Sequence, residues 1–252
     1  MNPITPARRQ LLVGAAVFAL AAPAFAWGFG GDTVQGSGNI SKQARQVAHF
    51  NGVALAVPGK VELHIGSAEG VTIEADDNLL PLIETSVDNG ILRIKPTQKN
   101  MNLRPHTLHI TVNARDIDNL SVGGSGSIDS DALHARNFKA SLGGSGSISV
   151  RAVDGDSMDI SVAGSGRMTA GGGAVNNARL NIAGSGNVDI GKVKAGDVSV
   201  KVAGSGDSRV WAAKTLDVTI AGSGGVEYYG DARVSRTVMG SGDINRLAGS
   251  PR

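Results

Sequence analysis

No cysteine occurs in the 252 residues, which removes disulfides, thiolate metal sites, cysteine nucleophiles and a lipid-modified cysteine anchor together. Aromatic residues make up only 4%, too few for a conventional aromatic-rich core, and sugar-stacking side chains are correspondingly scarce. An excess of charge is missing as well. The chain holds 24 Lys+Arg against 22 Asp+Glu, and removal of Arg8 and Arg9 with an export segment would leave it formally neutral. A basic nucleic-acid-binding protein is therefore not expected. After residue 26 no apolar run approaches the roughly 20 residues of a membrane-spanning helix.

The first 26 residues read as a removable signal. Arg8 and Arg9 form the positive start, Leu11 to Ala22 the apolar stretch, and Ala24-Phe25-Ala26 the small-x-small cleavage motif, with Trp27 as the first mature residue. The twelve apolar residues are short for a retained anchor. Arg8-Arg9-Gln10-Leu11-Leu12 is similar to a twin-arginine export signal, although Ala7 replaces the usual Ser or Thr and no Lys follows. Both the general secretory and the twin-arginine routes stay open. Expected location is the periplasm or cell surface of a bacterium.

What the chain has in abundance is glycine, 36 residues in all. Seven copies of one tripeptide organise the second half: Gly124-Ser125-Gly126, Gly144-Ser145-Gly146, Gly164-Ser165-Gly166, Gly184-Ser185-Gly186, Gly204-Ser205-Gly206, Gly222-Ser223-Gly224 and Gly240-Ser241-Gly242. The serines are spaced 20, 20, 20, 20, 18 and 18 residues apart. A fixed period near twenty means one structural unit laid down repeatedly, each copy contacting its neighbours. Apolar residues recur three and five positions before the serines, as in Val122 and Leu120, and three after them, as in Ile128, with Arg236 and Ser208 as the exceptions. Polar residues fill the positions between. These period-two columns predict short strands with one face buried, and stacking them gives a parallel β-helix with repeats of about 20 residues. Glycine supplies the positive φ of a sharp corner, and the small serine fits beside it. The shortening from 20 to 18 is expected in a loop between Val210 and Leu216.

A less regular β-rich region precedes the array. Its alternation predicts strands at 53–57, 60–65, 71–75, 83–87, 91–95 and 108–112, with Asn89-Gly90 as a type I′ hairpin turn. Residues 79–83, interrupted by Pro81, predict a short helical or irregular crossing, and 95–105 an exposed loop. Gly36-Ser37-Gly38 is an isolated eighth copy of the motif. The expected organisation is signal 1–26, Gly-rich leader 27–33, β-rich part 34–118, repeat array 119–247 and tail 248–252.

Catalytic and cofactor patterns are weak. The lipase elbow Gly-x-Ser-x-Gly is not matched: Gly123-Gly124-Ser125-Gly126-Ser127 lacks the final Gly, and seven equivalent serines do not make one activated nucleophile. No phosphate-binding Gly loop opens a helix, no nonapeptide calcium repeat is present, and no cofactor is implied. Asp76 and Asp77 offer a cation seat or, more simply, a solvated turn. His106 and His109, three apart on a strand, point to opposite faces and make a poor metal pair. In the column four after the serine, Arg209 and Glu227 are adjacent charged neighbours of the kind a polysaccharide-active enzyme would need more of. Trp211, Tyr228 and Tyr229 fall near each other in register, as an exposed patch or as packing under a loop.

Gly36-Ser37-Gly38-Asn39-Ile40, Phe50-Asn51-Gly52-Val53, the run Ile73-Glu74-Ala75-Asp76-Asp77-Asn78-Leu79-Leu80, the Asn89-Gly90 hairpin and the Gly-Ser-Gly array together resemble a bacterial family known as the putative auto-transporter adhesin, head GIN domain, a domain of unknown function. The resemblance implies a right-handed β-helix and an exported location, and transfers no binding residues. The ten residues after Gly242 are too few for a translocating barrel, so a self-sufficient autotransporter is not expected. The functional expectation is an exported, non-enzymatic adhesin or envelope-interaction protein, with no catalytic or metal residues. The alternatives are a glycan-binding module or polysaccharide-active enzyme, and a self-associating structural component. A surface glycan, an envelope protein and a second copy of the chain are the partner classes left open.

Overall fold

Each Gly-Ser-Gly unit turns the chain through a corner between two strands, and successive units lie directly on one another. The computed structural model describes residues 32–249. The expected signal 1–26, the Ala26/Trp27 cleavage point, nearly all of the leader 27–33 and the end of the tail lie outside the described residues. The strands before the corners form a first wall. Asn119–Gly124 and Asn137–Gly144 stack in parallel with the last parts of Val153–Gly164, Gly173–Gly184, Asn187–Gly204 and Asp207–Gly222, and finally with Arg233–Gly240. The strands after the corners form a second. Ser127–Ser130, Ser147–Val150 and Arg167–Ala170 continue into the first parts of the two long strands, then Gly225–Tyr229 and Asp243–Arg246. Short pairings such as Leu133–His134 with Val153–Asp154 close a third side. The result is a parallel β-solenoid of about six turns.

Stacking begins well before Asn119. Gly52–Leu55 pairs in parallel with the strand starting at Asn119, and Lys60–Ile65 with Ser127–Ser130. Ile91–Pro96 and Leu108–Ala114 continue the two walls beyond them. The change of texture at 118/119 therefore marks the loss of the Gly-Ser-Gly motif, not the start of the stack. Only the outermost layer is antiparallel: Ile83–Asp88 folds back on Ile91–Pro96, and Gly70–Asp76 on Leu108–Ala114, with Ile40–Arg45 added outside. The Asn89-Gly90 turn has φ of 50° and 77°, the two positive values that a type I′ hairpin requires. Leu80–Leu82 is a single 3-10 turn with Pro81 near its start. The stretch 95–105 is not wholly loop, because Asn102–Arg104 pairs in parallel with Thr33–Gln35 and buries Leu103.

The inward columns make one continuous core from Phe50 to Val226. Six turns bury the position five before the serine, from Leu120 to Val218, and the position three before it, from Val122 to Ile220. The seventh turn does not. Arg236 is exposed in the first column, Val238 is 39% exposed in the second and Met239 beside it 60%, because no further turn covers them. Ser208 interrupts the third column: it is 4% exposed, and its hydroxyl has no hydrogen-bond partner.

The change from 20 to 18 residues is not in a loop. Asp207–Gly222 is one unbroken strand, and the register breaks opposite its middle. Asp189 pairs with Arg209, but Lys194 pairs with Trp211, so the next turn drops three residues around Val210. One is regained before Thr215, which pairs with Asp197. Two compensating shifts keep every inward column aligned on either side.

The corner geometry explains why the motif repeats. The first glycine of each corner has positive φ, from 96° at Gly124 to 135° at Gly222, a region costly for residues with a Cβ. Space is equally restrictive: a Cβ on Gly164 would lie 2.5 Å from the Gly144 carbonyl oxygen one turn earlier. The intervening serine donates its backbone N–H to that same layer, as in Ser165 to the Gly144 carbonyl at 2.9 Å, while its side chain stays exposed. Gly164→Val is expected to lower unfolding free energy by at least about 2–3 kcal/mol. Ser165→Ala should change it by less than about 0.5 kcal/mol. Urea denaturation followed by circular dichroism measures both; equal midpoints for the two variants would contradict the corner assignment. Ser208→Ala removes the unpaired buried hydroxyl and should leave stability unchanged or raised by up to about 1 kcal/mol in the same assay.

Candidate functional site

The seven corner serines form an exposed row along one edge of the solenoid. His49, His64 and His106 are elsewhere, each with Nδ1 on a carboxylate: Glu69 at 2.6 Å, Asp131 at 3.2 Å and Asp76 at 3.0 Å. The structure thus gathers the motif residues Gly124 to Gly242 as a column of turns, and it does not bring a histidine base to the serines. His106 and His109 are likewise held apart, the first on Asp76 and the second beside Glu62 at 3.2 Å.

The second wall carries the most developed surface site. Its outward side chains alternate with the buried column, so Asp189, Arg209 and Glu227 stand in register on three successive turns. Arg209 donates Nη1–H to Asp189 Oδ2 at 3.1 Å, and Nε–H and Nη2–H to Glu227 Oε2 at 2.9 and 2.7 Å. Its pKa is raised, chiefly by the Glu227 hydrogen bond, against the opposing effect of burial. Arg167, Asn187, Asp207 and Asp243 line the rest of an open groove of about 590 Å³. Asp207 is itself engaged, accepting the Gly225 N–H at 2.9 Å.

Asp76 behaves differently from the solvated turn that its sequence neighbourhood predicts. It is fully buried. One oxygen accepts the Gly38 N–H at 2.8 Å and the His106 ring at 3.0 Å; the other accepts the backbone N–H of His106 at 2.9 Å and of Thr107 at 3.4 Å. Burial alone raises a carboxyl pKa, but these donors outweigh it and hold Asp76 down to about 2. Around it, the Ser37 N–H donates to Asn78 Oδ1, the Asn78 amide to the Gln35 carbonyl, and the Ser37 hydroxyl to Asp77. A Cβ on Gly36 would sit 2.4 Å from the Asp76 carboxyl carbon. The eighth Gly-Ser-Gly copy is therefore no corner of the stack. It is a loop closed over the Asp76-Asp77-Asn78 turn, and the cluster is occupied by the protein's own donors.

A family model described as putative auto-transporter adhesin, head GIN domain, matches residues 49–232. The chain belongs to this family. Among solved structures, a putative lipid binding protein from Parabacteroides distasonis ATCC 8503 is 26% identical, with a TM-score of 0.72 over 86% of this chain and 100% of that one. A putative adhesin from Bacteroides fragilis NCTC 9343 is 21% identical, with a TM-score of 0.78 over 85% and 100%. A putative adhesin from Parabacteroides merdae ATCC 43184 is 19% identical, with a TM-score of 0.65 over 86% and 100%. Comparison with curated proteins finds no match.

Within this head GIN domain, the matched span includes Asp76 and His106 and extends past Trp211 and, on the following turn, Tyr228 and Tyr229. Tyr228 faces inward and packs against the core, whereas Trp211 and Tyr229, paired across adjacent strands, alternate outward with buried Val210 and Ala212. The patch and the packing alternatives thus each describe part of the trio. No helix among the described residues is long and apolar enough to cross a membrane. The Asp76 arrangement fixes a pH dependence. Its folded pKa of about 2 lies below its ordinary 3.8, so its stabilisation is complete above the ordinary value and fades as pH falls toward 2. Asp76→Asn should lower the urea midpoint at pH 7 and flatten the dependence between pH 4 and 2. A variant with the wild-type midpoint and slope would show that the carboxylate does not hold this end together.

Proposed function

We propose that the protein is an exported, non-enzymatic adhesin-type protein of the bacterial envelope, whose walls serve as contact surfaces. Membership of the head GIN family and the likeness to proteins named as adhesins support this reading. The observation that carries it is the state of the groove on the second wall. Glycoside hydrolysis needs two carboxyl groups flanking the bond, one delivering a proton and the other free to act as base or nucleophile. Of the carboxylates that line the groove, Asp189 and Glu227 are tied to one guanidinium between them, and Asp207 accepts the Gly225 N–H. Such reciprocal pairing rigidifies a face for recognition.

The solenoid architecture suits this role. Outward positions on the walls are free to vary while inward columns keep the fold, so contact surface is separated from core along every strand. Protease shaving of intact cells, with fractionation, tests the assignment together with attachment of a deletion strain. Expected results are cleavage of the protein on intact cells and reduced attachment restored by complementation. A pool wholly protected in the periplasm, with attachment unchanged, would overturn it.

A further inference from the structure

The register break between the two longest strands falls beside Trp211. With the regular 20-residue step, the residue paired with Trp211 would be Gly191. The three-residue contraction puts Lys194 there instead, and its ammonium lies 5.9 Å from the centre of the Trp211 ring, within cation–π range. On the other side Trp211 pairs with Tyr229, so two aromatic side chains stand on one outward face a strand spacing of about 4.8 Å apart. Among the described pairings the stack loses register nowhere else. A chain with so few aromatics has placed its one described tryptophan and one of its two tyrosines at that point.

Lys194 lies on the turn before Trp211, and a groove opens on the turns after it. Lys192, Lys194 and Lys214 are exposed and belong to no ion pair among the described residues. Of the nearby carboxylates, Asp231 is paired with Arg246, and Asp197 accepts the Thr215 hydroxyl at 2.6 Å. Arg246 also donates to the Gly230 carbonyl at 3.0 Å, which fixes it as a wall. An open groove of about 590 Å³, lined by Trp211, Gly230, Asp231, Arg246 and Leu247, adjoins the ring; binding sites for small ligands typically span about 300–1,000 Å³.

We infer that this face is a binding site for an acidic glycan, with a sugar ring stacked through its C–H face on Trp211 and its carboxylate or sulfate held by Lys194. The aromatic face supplies apolar, orientation-selective contact with the ring. The lysine supplies attraction for an anion, which salt weakens. A neutral glycan would leave Lys194 unused, and a small free anion would leave Trp211 unused. The inference rests on the adhesin reading only for its setting, and binding by purified protein is scored independently of where the protein resides in the cell.

Affinity electrophoresis of the purified full-length protein, in gels containing polygalacturonate, dextran sulfate or neutral dextran, tests it. Retardation by either acidic polymer and not by dextran is expected, and the polymer that retards identifies carboxylate or sulfate as the preferred anion. Trp211→Ala should weaken apparent affinity roughly tenfold, and Lys194→Ala by a similar factor with a shallower salt dependence. Lys201→Ala, an exposed cation on the first wall, should match wild type. The Lys194→Ala variant alters only an exposed side chain, so it decides the matter even if Trp211→Ala fails to fold by circular dichroism. Equal retardation by dextran, no retardation by either acidic polymer, or wild-type affinity in Lys194→Ala would overturn the proposal, as would an equal loss in Lys201→Ala.

Discussion

The close approach of glycine to glycine at the corners sets the terms for everything else in this molecule. Each corner carbonyl occupies the place that a Cβ of the next turn would need, so the backbones can stack at strand spacing only if both residues lack side chains. That requirement holds the period, and the period in turn aligns the apolar columns. Parallel ladders on adjacent walls then satisfy most backbone donors and acceptors, with carboxylates such as Asp207 and Asp154 accepting N–H groups beside them. The serine between the glycines is a passenger in this arrangement. Its N–H joins the ladder, and its hydroxyl faces solvent.

Much of this was legible in the sequence because the information is local and repeated. The apolar columns predict the buried columns, and the Asn89-Gly90 pair states its own turn type. What could not be read depends on contacts between residues far apart in the chain. Leu103 is buried because Thr33–Gln35 arrives to pair with its strand. Asp76 is buried because donors at Gly38 and His106, some thirty to forty residues away on either side, close over it. An acidic pair followed by asparagine reads as a solvated turn unless those donors are known. The register break was half visible. Lost residues can be counted from the serine spacing, but where a strand compresses depends on which side chains can pair across the gap, as Lys194 and Trp211 do.

Of the surface features, the Arg209 cluster was the more readable, since a strict period puts Asp189, Arg209 and Glu227 in one column. The Trp211 platform was suspected only as a neighbourhood, because its partner in the previous turn is not the residue that the period would name. Irregularity thus coincides with chemistry. Where the repeat is regular, the walls present hydroxylated, amide and charged side chains; where it slips, Trp211 stands between Lys194 and Tyr229. Two ends of the solenoid also differ in kind. An antiparallel layer pinned by the Asp76 carboxylate covers one, and the other ends in strands whose inward side chains meet no further turn.

That second end has a consequence for assembly. An uncovered parallel edge with two aligned strands is a template on which an identical molecule could continue the ladder, and continued indefinitely it would give a fibre. Arg236 stands in the middle of the column that such a continuation would bury. Enclosing its guanidinium among valines, with no carboxylate in reach in that column, would cost several kcal/mol. One arginine in an otherwise aliphatic file thereby makes burial of that column under a further layer costly.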